Sequence, residues 1–204
     1  MKKILLIMTV LVLSACSLGM STTPKQKVSE FLDKYKKQDE TILSQLEETI
    51  KSEYTKDDYR DRYKNLMTNQ YKNMEYTLKD EIIDGDNAVV EAEITVYDYG
   101  SSIRKANEYL NSNPDKFKKE DKTTIDEEDS DDETTDESKL DSGLLGNYDE
   151  DKFIDYKLSE MEKVTDTVTY TIEFTLTKVD NEWQIDALSN SDIQKLHGIY
   201  ISED

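Results

Sequence analysis

Apolar residues recur along the N-terminal third at intervals of three and four: Val28, Phe31, Leu32 and Tyr35, then Ile42, Leu43, Leu46 and Ile50, then Tyr59, Tyr63, Leu66 and Met67. That spacing sets each group on one face of a helix and predicts three helices. The first has the clearest start, with Thr23 as N-cap, Pro24 at the first helical position and Gln26 completing a Thr-x-x-Gln capping box. Thr55 and Asp58 are the candidate capping residues of the third. From Met74 the period shortens to two, with Met74, Tyr76, Leu78 and Ile82 on one side and Glu75, Thr77, Lys79 and Glu81 on the other, which is the pattern of a half-buried strand. After Asp84-Gly85-Asp86-Asn87 a second strand is expected from Ala88 to Tyr99, with Ala88, Val90, Ala92, Ile94 and Val96 inward and Glu91, Glu93 and Thr95 outward. A three-residue loop over 85–87 keeps the apolar faces together, placing Leu78 opposite Ile94 and Tyr76 opposite Val96.

The longest alternation comes later: Val168, Tyr170, Ile172, Phe174 and Leu176 face one way, with threonines and Glu173 between them. Threonine suits a solvated strand face. Asp180-Asn181 then reads as a two-residue turn into Trp183, Ile185 and Ala187, pairing Leu176 with Ile185 and Phe174 with Ala187. A closing helix after Ser189 or Ser191 offers Ile193, Leu196, His197 and Tyr200 to the same core. Between the hairpins two helices are expected, near 102–111 and near 148–163, separated by a run over 120–137 that holds eleven acidic residues and one lysine. A run of this kind repels itself and has little to bury, so disorder is expected over 119–145. A long loop costs only about 0.6 kcal/mol per doubling of its length, which a stable domain tolerates.

The fold class that follows is α+β: N-terminal helices packed on a curved antiparallel sheet of about four strands, with a helical and acidic insertion. This order resembles the cystatin-like cone of nuclear-transport-factor-like proteins, a layout shared by many small Gram-positive lipoproteins of unknown role. The elements that carry the resemblance are the 23–38 helix, the Asp84-Gly85-Asp86-Asn87 hairpin and the closing stretch Lys178-Val179-Asp180-Asn181-Glu182-Trp183-Gln184-Ile185-Asp186. It implies a fold and brings no chemical motif with it. A third N-terminal helix and the acidic excursion depart from the pattern.

The N-terminus changes the picture most. Lys2 and Lys3 precede a short apolar stretch over 4–13, and Leu13-Ser14-Ala15-Cys16 follows. A positive n-region, an apolar h-region and small residues before a cut are the layout of a secretory signal, too short to span a bilayer. Its end resembles the bacterial lipobox, which implies that Cys16 receives a diacylglyceryl group and becomes the first mature residue. The expected organisation is then a signal peptide over 1–15, a lipidated tether over 16–23 and one domain over 24–204. The expected location is the extracytoplasmic side of the cell membrane, with the lipid bilayer as partner through acylated Cys16 and palmitate among the acyl chains. Two chains at about 0.8 kcal/mol per buried methylene hold far more firmly than one myristoyl group.

Composition narrows the chemistry. Cys16 is the sole cysteine, so acylation leaves neither a disulfide nor a thiolate nucleophile. The formal charge is −20 and falls by two more units when Lys2 and Lys3 are removed. A surface of that sign repels nucleic acid and anionic headgroups, so no nucleic acid partner is expected. His197 is the single histidine, which excludes any two-histidine zinc site. It lies among Ile193, Leu196 and Tyr200 and reads as an edge-of-core residue. The six glycines are scattered, so no phosphate-cradling loop is present.

Three residues are singled out as a speculative pocket. Asp80 and Asp98 fall by alternation on the face that otherwise reads as core, with Tyr76 nearby. In a hollow cone Asp80 could be a carboxylate of raised pKa able to act as a base. The plainer account is that both acids sit near strand ends, reach solvent or are turned outward by a bulge. Asp80, Asp84, Gly85 and Glu91 match four positions of a calcium loop, but Ile82 stands where an oxygen ligand is required. No cofactor, metal site or catalytic residue is therefore expected. Thirteen tyrosines accompany one tryptophan, and Tyr97 and Tyr99 alternate onto the outward strand face, where such pairs suit contact with a protein or glycan. The expected function is a non-enzymatic binding module facing an envelope or surface protein or glycan. The alternatives are a small-ligand binder or enzyme with a cavity lined by Asp80 and Tyr76, or a cation-responsive module acting through 120–137.

Overall fold

The computed structural model describes residues 22–119 and 148–202. Cys16 and the signal segment lie outside the described residues, as does the acidic segment except for Lys119. The element order is α1 (Pro24–Lys36), α2 (Glu40–Glu53), α3 (Asp57–Asn73), β1 (Glu75–Asp84), β2 (Asn87–Tyr97), α4 (Tyr99–Ser112), α5 (Glu150–Met161), β3 (Thr167–Val179), β4 (Glu182–Ile185) and α6 (Asn190–Leu196). The four strands form one open sheet in the order β1-β2-β3-β4, antiparallel throughout. This is the expected α+β arrangement.

Local chemistry sets the helix starts. Thr23 makes the capping box with Gln26, each side chain bonding the other's backbone N–H. Asp39 accepts from the Thr41 N–H ahead of α2, and Asp149 and Ser189 cap α5 and α6. The third helix departs from expectation: Lys56 holds the N-cap position and makes no side-chain cap bond. Asp57 and Asp58 fill its first turn instead, complementing the positive end of the helix.

The first hairpin corrects the predicted register. Asp84 pairs with Asn87, so the loop is the two residues Gly85 and Asp86, with Gly85 at φ +59°. Tyr76 faces Ile94 and Leu78 faces Ala92, where Val96 and Ile94 were expected. The turn, one residue shorter than expected, moves the register by one position, and a bulge between Leu78 and Glu81, where two residues oppose the single Glu91, moves it by one more. An extra residue reverses the alternation beyond it. Ile82 and Asp80, expected inward, are exposed, while Glu81 turns to the helical side. In the second hairpin Asp180 and Asn181 both take positive φ, as a type I′ turn demands. Leu176 pairs with Ile185 as expected, but β4 ends there, and Ala187 is exposed and leaves the ladder without reaching Phe174. Tyr99 is a further correction, because β2 stops at Tyr97 and Tyr99 opens α4, buried at 2% exposure.

The main core lies between the inward sheet face and the helices. Val28, Leu32 and Tyr35 of α1 pack with Met67 and Tyr71 of α3 over Ile94, Ile172 and Phe174. Phe31 meets Phe174 edge-on, with ring centroids 5.9 Å apart. Residue α5 positions Leu158 and Met161 belong to this core, while Phe153 joins Ala106 and Phe117 in a smaller cluster. Arg62 ties α3 to α5 by bonds to Asp155, Ser159 and both oxygens of Glu162.

The outward sheet face has one visible cost. Glu91 and Glu173 sit directly opposite each other in the β2–β3 ladder, and like charges so placed destabilise by roughly 0.2–1 kcal/mol. Replacing Glu173 by threonine is expected to raise stability by about 0.5 kcal/mol in thermal unfolding at low salt, with the gain shrinking as salt screens the pair. A variant that melts earlier at low salt would contradict this.

Candidate functional site

The first turn of α1 lies beside the β1 bulge. Because the bulge turns Glu81 toward the helices, its carboxylate accepts from the Lys25 N–H at 2.9 Å. Together with Thr23 it satisfies backbone donors at the start of α1 and complements the positive end of that helix. The start of α1 is thus fixed to β1 at its bulge. Seven residues separate Cys16 from Pro24 in the sequence.

The structure does not bring the speculative pocket together. Asp80 is exposed at the bulge. Tyr76 turns to α1, where its hydroxyl lies 2.9 Å from the Ser29 Oγ and donates to the Asp33 Oδ1 at 2.8 Å. Asp33 also accepts from Lys37 at 2.8 Å, and that bond, followed by the one from Tyr76, holds its carboxyl below the ordinary range. Partial burial, with the neighbouring Asp33 carboxylate, raises the Tyr76 phenol. Asp98 caps α4 by accepting from the Ser101 N–H at 2.9 Å, while its own N–H donates to the Asp166 carbonyl. Asp80 is thus an exposed acid, Tyr76 a phenol bonded to α1, and Asp98 a helix cap.

His197 follows α6 and is half-buried over all its atoms, yet its ring is packed against Tyr35 and Tyr71, with centroids 6.2 and 5.6 Å away. Burial pushes its imidazole down to about 4, so it is neutral at physiological pH. The Tyr71 hydroxyl lies 3.3 Å from its Nε2. A neutral ring held between two phenols braces the C-terminal turn. Among the described residues no group of three His, Cys, Asp or Glu side chains is placed to hold a metal ion.

Sequence reasoning passed over one buried polar side chain and one half-buried one. Gln70 is fully buried in the apolar stripe of α3, where its Oε1 accepts from the Tyr97 N–H at 2.8 Å and its Nε2 donates to the Tyr97 carbonyl at 3.4 Å. Its spacing from Tyr63, Leu66 and Met67 was a usable signal, because an amide inside an apolar stripe needs partners. Lys157 is the second: burial lowers its ammonium, which lies 6.0 Å from the Tyr54 ring, and burial likewise raises the nearby Glu53. Gln70 fastens α3 to the end of β2.

What remains open to a partner is the outer sheet face. On β3 it presents Thr167, Thr169, Thr171, Glu173 and Thr175, all exposed. Thr95 and Thr169 share a hydroxyl bond of 2.8 Å across it, and Lys79 pairs with Glu93 at 2.7 Å. Tyr97 is half-buried at its end and stacks obliquely with Tyr99 below.

No protein-family model matches the chain, and no curated protein matches it. A solved structure that does match is a protein of Bacillus subtilis described as a candidate lipoprotein (ycdA), 17% identical, with a TM-score of 0.43. The match covers 87% of this chain and 56% of that one, so the chain spans about half the length of the protein it resembles.

Proposed function

We propose that this chain is a lipid-anchored extracytoplasmic domain of the α+β cone type, displayed on a bacterial membrane and acting as a non-enzymatic binding module. The observation that carries the reading is the run Leu13-Ser14-Ala15-Cys16 at the end of a charged-then-apolar N-terminus, seven residues before the capped start of α1. The Thr23 cap and the Glu81 carboxylate fix the start of α1, the point at which such a tether would end. The binding part of the reading rests on the uncovered threonine-rich sheet face. It is supported by the placements of Asp80 and His197, the two residues best suited by type to catalysis, which the fold uses elsewhere or leaves in water.

The anchor is tested by expressing the chain and its Cys16→Ser variant in a Gram-positive host and partitioning the cells with a phase-separating detergent. The parent chain is expected in the detergent phase with incorporated palmitate, and the variant is expected to lose the label entirely. Equal labelling of both, or of neither, would end the lipoprotein reading.

A further inference from the structure

The sheet has two edges, and they are built differently. The β1 edge carries the devices that discourage another strand: a bulge at its middle, the charged Lys79 and Asp80 on that bulge, and bonds from Tyr76 and Glu81 to α1. The other edge is only partly closed. Strand β3 pairs with β2 from Thr167 to Thr177 but with β4 only from Leu176 to Val179.

Two bonds give the direction of its free groups. The Thr175 carbonyl accepts from the Asp186 N–H at 2.9 Å, on the β4 side, whereas the Lys178 N–H donates to the Asp86 carbonyl at 2.8 Å, on the β2 side. Odd-numbered residues of β3 therefore direct their backbone groups to the β4 side. Beyond Thr175 that side has no strand, and the backbone groups of Thr167, Thr169, Thr171 and Glu173 have no hydrogen-bond partner among the described residues. No bulge, proline or lysine interrupts the stretch.

We infer that this open β3 edge is a strand-addition site that receives an extended, cationic segment of a partner protein in antiparallel pairing. Such recognition takes its affinity from main-chain bonds and its selectivity from alternate side chains. The alternation here is specific. Glu173, paired with Glu91 across the ladder, lies on the outward side of the edge, in a chain of formal charge −20. Val168 and Tyr170 lie half-buried on the inward side. The added strand should carry Lys or Arg outward and apolar residues inward. An outward cation beside Glu173 would relieve the repulsion that Glu91 and Glu173 now sustain.

This inference deepens the binding-module reading and does not depend on the anchor. A chain that is lipidated but fails the following test loses this inference alone, and an unlipidated chain that passes it loses the anchor alone.

The test uses the full chain as purified, lipidated or not, in non-ionic detergent micelles and a capped heptapeptide alternating Lys and Val. In the free protein the Thr167, Thr169, Thr171 and Glu173 amides should exchange rapidly with solvent. The peptide should slow their exchange, and Glu173→Thr should weaken binding roughly threefold. Residues directly opposite across an antiparallel ladder share a face, so the peptide lysines are the residues whose N–H groups point to β3. N-methylation of the lysines should weaken binding at least tenfold, while N-methylation of the valines should leave it unchanged. Equal effects of the two methylations, protection elsewhere in the protein, absence of binding, or edge amides already protected in the free chain would each overturn the inference.

Discussion

Replacing Gly198 by alanine is expected to cost about 3 kcal/mol of stability, the sum of backbone strain and a broken buried amide pair. Gly198 takes φ +69° in the turn after α6, and a Cβ there would lie 2.2 Å from the Tyr97 carbonyl oxygen and 2.3 Å from the Gln70 Nε2. The obstacle is the pair of bonds by which Gln70 holds the end of β2, and the Gly198 carbonyl accepts from the Gly100 N–H at 2.7 Å in the same place. Side-chain adjustment alone gives no relief, because one of the two contacts is backbone. Gly85 supplies the control: its φ is +59° but a Cβ would meet nothing within 4 Å. Gly85→Ala should therefore lose only about 1 kcal/mol from conformational strain. Urea unfolding of the two variants separates the effects, and equal losses at the two glycines would refute the account of the C-terminal turn.

Acidification should destabilise the fold through His197 by on the order of 3 kcal/mol. Burial lowers the folded imidazole to about 4 from the ordinary 6.5. Above pH 6.5 the ring is neutral whether the chain is folded or not. As pH falls from 6.5 to 4 the unfolded chain takes up a proton that the folded chain refuses, so stability drops across that window and levels off below it. The carboxylates act in a different range: the Asp33 carboxyl, lowered by its bonds from Lys37 and Tyr76, gives up its contribution only when protonated at lower pH still. Comparing the parent with His197→Gln isolates the imidazole, since both share every carboxylate. The stability gap between them should move in favour of the variant by about 2–3 kcal/mol between pH 7.5 and pH 4.5. A gap that does not change with pH would mean the ring is not desolvated.

How far the fold was legible depended on whether one local rule governed each segment. The α1 cap was readable to the residue because Thr23, Pro24 and Gln26 all act within one turn. The β3–β4 turn was readable because Asp180 and Asn181 tolerate positive φ. The β1 register was not, because a bulge is set by the partner strand and by α1, and neither leaves a mark within Lys79-Asp80-Glu81 itself. That one slip made Asp80 look buried and hid Glu81, so the error in register became an error in the candidate site. Tyr99 was misplaced for a related reason: the alternation of β2 runs on into the first helical residue, and Asp98 gives the helix start away only once it is read as a cap. Gln70 could have been found, since a buried amide stands in the α3 stripe at helical spacing.

The same reasoning bears on the proposed strand-addition site. The sheet keeps Glu91 opposite Glu173 at a cost, and Glu173 lies on a stretch of β3 whose free edge lacks, among the described residues, both a strand partner and the devices that guard β1. Residues that a folding argument alone would replace are the ones a strand-adding partner would use.

The measurement that bears most directly on the central claim is the mass of the mature N-terminus, taken from the chain purified from the membranes of a Gram-positive host. The account predicts that the first residue is Cys16 and that it carries a diacylglyceryl group. A mature chain that begins elsewhere, or a Cys16 with an unmodified thiol, would contradict it.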